Sequence, residues 1–410
     1  MKILHTSDWH LGRTLCGKKR TREFEGFLDW LLAALREHGA DVLLVAGDVF
    51  DGPTPGIRAQ ELYYRFLYRA AASGCRHVVV VGGNHDSPSF LNAPKELLRS
   101  LNVHVVGTIT ENAEDELLTL DGPDGTPELL ICAVPYLRDK DVRSFEAGES
   151  AEDKDRKLAL GIERHYKELG RLAEEKRAAL AAEGQYIPIV ATGHLFAVGG
   201  QTTEEDGVRE LYVGSLVRVN LRRFPTCFDY LALGHLHSSQ RVGDADTARY
   251  SGAPLPMNPG ERRDKSVLLV ELDGGKPPAR VRKLPVPVFQ EMERIVGDIN
   301  ALEVRLGELR ARGGGIWVEV VCEGNAPAPD LRRRIAALTE GSELEVLRVR
   351  VTRNSSSAPG LWDEREELAE LDVSDVFSRC LEARKVPEKE RSALFAAYME
   401  VLETLRAELQ

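Results

Sequence analysis

The strongest constraint on the fold is a series of short segments that are apolar almost throughout: 41–46 (DVLLVA), 77–81 (HVVVV), 128–134 (ELLICAV), 187–194 (IPIVATGH), 228–235 (FDYLALGH) and 266–272 (SVLLVEL). A strand without a polar face must be covered on both sides. Helical periodicity fills three of the intervals, over Phe24–His38, Arg58–Ala72 and a charged stretch at about 156–183. With a first strand at Lys2–Thr6, this alternation predicts one large α/β domain over residues 1–285.

The segment LPVPVF at 284–289 marks its boundary, because two prolines disfavour both helix and central strand. A small α/β domain is expected over 286–353, with helices at Asp298–Arg312 and Pro329–Thr339 and strands at Ile316–Cys322 and Glu343–Thr352. Residues 354–361, beginning NSSSAPG, have a linker's composition, and 362–410 are expected to be helical.

Composition narrows the function classes. Lys plus Arg number 54 against 65 Asp plus Glu, a net charge of −11, which excludes a uniformly basic nucleic-acid binder. Any contact with DNA then needs local basic patches or bound metal ions. The six cysteines lie far apart, without zinc-finger spacing, and suit a reducing compartment. No apolar run approaches the roughly 18 residues of a membrane span, and the N-terminus is polar by its fifth residue. The expectation is a cytoplasmic protein with no membrane partner.

Five short motifs fall at the C-terminal ends of the apolar strands: SDWH at 7–10, GDVFD at 47–51, GNHD at 83–86, TGH at 192–194 and GHLH at 234–237. Ligand sites of α/β sheets gather at those ends. The motifs hold five of the ten histidines, and Asp8, His10, Asp48, Asn84, His194, His235 and His237 supply seven oxygen or nitrogen donors. With one bridging carboxylate, seven donors suffice for two metals and leave open positions for water and substrate. Mixed histidine and carboxylate without thiolate suits manganese, iron or zinc, and histidine argues against calcium. Two such ions suit in-line attack on phosphorus. The remaining histidines, 5, 38, 77, 104 and 165, have no such setting.

The series DxH, GDxxD, GNHD, GH and GHxH resembles the calcineurin-like metallophosphoesterase superfamily, and the phrases MKILHTSDWHLGR, AGDVFD, GNHDSP, VPYLR and YSGAPLPMN resemble its Mre-type DNA nucleases. The resemblance implies a two-sheet β-sandwich flanked by helices, a small α/β DNA-capping domain and C-terminal helices that dock on a partner. It further implies one metal held by Asp8, His10 and His237, a second by Asn84, His194 and His235, and Asp48 bridging them. His85 would serve the scissile phosphate or the leaving group, with Asp86 as its orienting partner; Asp51 is left without a role. The implied cofactor is two divalent ions, most simply Mn(2+). The implied activity is cleavage of double-stranded DNA ends and of single-stranded or hairpin DNA, together with an SbcC-type ABC ATPase. A phosphomonoesterase or cyclic-nucleotide phosphodiesterase of the same superfamily is the competing enzyme, and the extra domains disfavour it.

The loop Gly12–Arg22 carries Arg13, Lys18, Lys19, Arg20 and Arg22 without an acid and follows the first motif directly. These residues and Arg138 are expected DNA-phosphate contacts, with Arg332–Arg334 as further candidates. The family resemblance implies a homodimer, and Leu62, Tyr63, Phe66 and Leu67 on the helix 58–72 are either its expected contacts or the cover of their own sheet. In the tail, Val373, Val376, Phe377, Cys380 and Leu381 and then Leu394, Phe395, Tyr398, Val401, Leu402 and Leu405 fall at helical spacing, with Pro387 suited to start the second helix. Two such helices are marginal alone, and Phe377, Leu381, Leu394, Phe395, Tyr398 and Leu402 are the expected partner contacts.

Overall fold

The computed structural model describes residues 1–143, 149–180, 186–200, 217–243, 247–261, 263–272, 279–324, 328–352 and, except for 379, 383 and 385, residues 377–408. Two six-stranded sheets dominate. In the first, Lys2–Thr6, Val42–Ala46, His77–Val81 and Val103–Val106 run parallel. Ser266–Glu271 pairs antiparallel with Lys2–Thr6 on its other side, and Arg280–Pro285 closes that edge. In the second, Ile189–His194 and Tyr230–Gly234 form a parallel centre, with Pro127–Cys132 and Ala248–Tyr250 beside them. Leu117–Asp121 and Gln240–Arg241 are its antiparallel edges.

The apolar strands divide their side chains between two cores. Val42 and Leu44 face the second sheet and pack with Leu129, Ile131, Val190 and Tyr230. Leu43 and Val45 face outward, where helices Thr21–His38 and Ile57–Ala71 cover them. The helix Ala151–Leu180 covers the second sheet through Leu158, Ile162, Tyr166 and Leu169. Period-two alternation inside an apolar segment thus becomes a sandwich with a helical layer on each side.

Leu62, Tyr63, Phe66 and Leu67 are at most 3% exposed and belong to the core beneath Ile57–Ala71. This corrects their expected place at a dimer contact: the sheet face needs their area, and they have none to offer a second molecule.

Residues 292–352 build a small parallel sheet from Met292–Gly297, Trp317–Glu323 and Glu345–Thr352, with helices Ile299–Arg312 and Ala328–Thr339. Leu302, Leu306, Leu309, Val318, Val320, Leu331 and Ile335 fill its core. Its strand Met292–Gly297 escapes the sequence reading, as do Val103–Val106, Leu117–Asp121 and Arg280–Pro285. All four are short edge strands, and polar residues at an edge blur the apolar signal.

The chain divides into two compact units, Met1–Ala147 with Lys154–Arg353, and Gly148–Asp153 with Asn354–Gln410. In the second, Glu388–Glu408 is helical, and the Phe377 ring stacks on Tyr398 with centroids 3.9 Å apart. Phe395 lies 6.1 Å from Phe377, Leu381 is buried and Leu394 is exposed. The expected contacts Phe377 and Tyr398 are therefore engaged with each other. Val373, Val376 and the Leu402 and Leu405 side chains lie outside the described residues.

Candidate metal centre

Backbone amides tie four of the five motif loops to one another. Asp8 N–H donates to the Gly47 carbonyl, and His10 N–H to the Asp48 carbonyl, each at 3.0 Å. His85 N–H donates to Asp48 Oδ1 and His235 N–H to Asp8 Oδ1, each at 2.9 Å. Asp8, His10, Asp48 and His235 all have positive φ, at 54°, 47°, 51° and 99°. Left-handed backbone costs a non-glycine residue about 1–3 kcal/mol and persists only where surroundings enforce it. Here it turns four donors off their strands toward one point. Two glycines give the room: a Cβ on Gly83 would lie 2.1 Å from Asp48 Oδ1, and one on Gly47 would lie 2.2 Å from His194 Nδ1.

The seven donors converge as two overlapping groups. His10 Nε2 and His237 Nε2 approach to 3.3 Å, with Asp8 beside them. His194 Nε2 lies 2.8 Å and His235 Nδ1 3.0 Å from Asn84 Oδ1. Asp48 Oδ2 stands between the groups, 3.7 Å from His10 Nε2 and 3.2 Å from His194 Nε2. Asp8, His10, Asp48, His194, His235 and His237 are buried, whereas Asn84 and His85 are half-buried and open the site to solvent.

Electrostatics strain this arrangement. Burial disfavours the charge on Asp48, yet His194, His85 and His10 together hold its carboxyl well below the usual range. Burial opposes protonation of His194, but Asp48 raises it to about 9. Burial lowers His10 and His235, and the neighbouring rings lower them further. Opposed ring nitrogens at 3.3 Å, with carboxylates between, satisfy one another poorly without a cation. His10 Nδ1 and His237 Nδ1 are also buried without a hydrogen-bond partner. The donor set fits divalent metals: Asp8, His10 and His237 form one possible group, and Asp48, His194 and His235 another.

The other expected site residues are distributed unevenly. His85 Nδ1 bonds the Asp51 carbonyl at 3.1 Å. The Asp86 carboxylate accepts from the amides of Val49, Phe50 and Gly83, at 2.9–3.1 Å. It clamps the second and third motif loops together, so the expected orienting role toward His85 belongs instead to the Asp51 carbonyl. Arg13 pairs with Asp51 at 3.0 Å, and Arg138 reaches the Asp86 carbonyl at 3.4 Å. Arg20 corrects the expected DNA contact: it is 2% exposed and forms a two-pronged pair with Glu23, so no phosphate reaches it. Lys18 is paired with Glu345 of the small sheet. Lys19 and Arg22 are exposed. In the small domain, Arg333 pairs with Asp330 and Arg334 with Glu303.

Sequence reasoning missed Glu261, a buried acid 3.8 Å from His237 Nδ1. Nothing local marks it; only the return of the 252–265 loop to the fifth motif places it there.

A calcineurin-like phosphoesterase model matches residues 1–239. The SbcD component of nuclease SbcCD from Escherichia coli K12 is 36% identical over 100% of this chain and 99% of its own length. The chain belongs to the SbcD family of calcineurin-like phosphoesterases. A model described as the type 5 capsule protein repressor C-terminal domain, SbcD_C, matches residues 288–385. The SbcD of Rhodobacter capsulatus is 32% identical over 88% of this chain and 89% of its own, and that of Bacillus subtilis is 33% identical over 67% of each. Membership of this family makes the chain a metallophosphoesterase and implies that it binds divalent metal. Among the described residues, no helix is long and apolar enough to cross a membrane.

Proposed function

We propose that the chain is the manganese-dependent nuclease subunit of an SbcC-type complex, cutting double-stranded DNA ends and single-stranded or hairpin DNA in replication, recombination and repair. The observation that carries this reading is the convergence of seven donors from five motifs on one half-open point of the sandwich. Asp8, His10 and His237 would hold one ion, Asn84, His194 and His235 the other, and Asp48 would touch both. Two ions so held would supply an activated water and neutralise charge on a phosphodiester.

The protein's own groups complete the chemistry. His85 is half-buried and its Nδ1 is fixed by the Asp51 carbonyl, so Nε2 is the nitrogen that exchanges a proton with the leaving oxygen. Asp86 positions that loop rather than reacting. Arg13 and Arg138 beside the motif loops, with exposed Lys19 and Arg22, orient the DNA backbone through its phosphates. The small domain over 286–353 caps the DNA, and residues 362–410 dock on the ATPase partner. Cleavage of linear duplex and hairpin DNA, with and without manganese and the partner, tests the reading. Chelator-sensitive cleavage restored by manganese supports it; hydrolysis confined to small phosphate esters overturns it.

A further inference from the structure

Resting on that metal reading, we infer that Asp51 and Glu261 are positioning residues for one of the two ions, and that they make the Asp8–His10–His237 position the tighter one. His10 and His237 turn their Nε2 atoms toward each other at 3.3 Å, so their Nδ1 atoms face away from the centre. Behind His10 Nδ1 stands Asp51 Oδ1 at 3.6 Å; behind His237 Nδ1 stands Glu261 Oε1 at 3.8 Å. Both nitrogens are buried and without a hydrogen-bond partner, so each carboxylate faces an unmet donor. The second position is built differently. His194 turns Nδ1 to the Ala46 carbonyl at 2.9 Å, a neutral acceptor.

A carboxylate behind a ligating imidazole fixes its tautomer and raises its basicity more than a carbonyl does. Each carboxylate is itself anchored. Arg13 holds Asp51 at 3.0 Å. Lys265 Nζ and the Met257 amide hold Glu261 at 2.7 and 2.8 Å. The loop bearing Glu261 is gripped from the small domain, where Arg294 lies against Gly260 and Glu293 meets Arg263 at 3.5 Å.

The test is manganese binding to the apo full-length chain, with free Mn2+ counted by electron paramagnetic resonance. Wild type, Glu261→Gln and Asp51→Asn are compared, and the apo melting temperature of each is recorded. The amides keep shape and remove charge. In each variant the tighter class should weaken by about 10- to 100-fold while the weaker class stays within error and the melting temperature holds. Glu261→Gln leaves buried Lys265 without its partner and can fail to fold; Asp51, one-third exposed, then decides alone. Unchanged binding in a folded variant overturns the inference, as does equal weakening of both classes. Wild-type protein that takes up no manganese overturns the metal reading and this inference with it, an outcome distinct from two ions bound equally well by all three proteins.

Discussion

Asp48 contributes to two of the three possible ligand groups, one with His194 and His235 and one with His10 and His85, and also receives the His85 amide. Asp48→Ala should therefore release more metal on dialysis than His10→Ala, and equal release would show that Asp48 does not bridge. His85 lies outside the seven donors, so His85→Ala should retain both ions and lose cleavage by about 100-fold or more, with metal content and rate measured on one preparation. His5 illustrates a buried histidine with no part in the site. It bonds Tyr230 Oη at 2.9 Å, and burial lowers its pKa from 6.5 to about 3. The unfolded chain binds this proton more readily than the fold does. Stability from the neutral ring is thus complete above pH 6.5 and drains as pH falls toward 3, by up to about 1.4 kcal/mol per unit. His5→Leu should flatten that part of the thermal-stability curve relative to wild type; parallel curves would refute the assignment. The residues that converge at this point were legible in the sequence because strand ends and glycines set them off. Glu261, the true acceptor of His85 and the burial of Arg20 against the Pro256 carbonyl were not, because each depends on a contact between distant segments.

At the scale of elements, the apolar strands declared themselves because both faces are buried, and the helices because one face is. Edge strands stayed hidden where polar side chains interrupt the pattern, as in RVRKLP at 280–285. The helix Ile57–Ala71 shows the limit of reading amphipathicity: the sequence displays an apolar stripe without saying what covers it. Phe66→Ala should cost about 3–5 kcal/mol in denaturant unfolding of the chain. A negligible cost with altered sedimentation would return Phe66 to a dimer contact. The turn after His77–Val81 is equally specific. Gly83→Ala would drive a methyl group into Asp48 and should lower metal content far more than it lowers the melting temperature.

For the whole molecule, the proline pair at 284–289 was legible between the sandwich and the small sheet, whereas the loop shared by the fifth motif and the small domain was not, and the Ser-rich segment at 354–357 lies outside the described residues. If the tail alone docks the ATPase, a chain ending at Gly360 should lose co-purification with an SbcC-type partner and keep manganese-dependent cleavage of single-stranded DNA. Full-affinity binding by the shortened chain would place docking elsewhere. The strand Lys2–Thr6 lies inside its sheet, between Val42–Ala46 and Ser266–Glu271. On the ribosome, its second neighbour is made some 260 residues after it, on the order of ten to fifty seconds later at ordinary elongation rates. Throughout that interval the nascent sheet presents an open edge ending in the first motif, and His194, His235, His237 and Glu261 are added only towards its end. A site that needs all seven donors is therefore completed late in the birth of this chain, after a long stage as a half-sheet with an unprotected border.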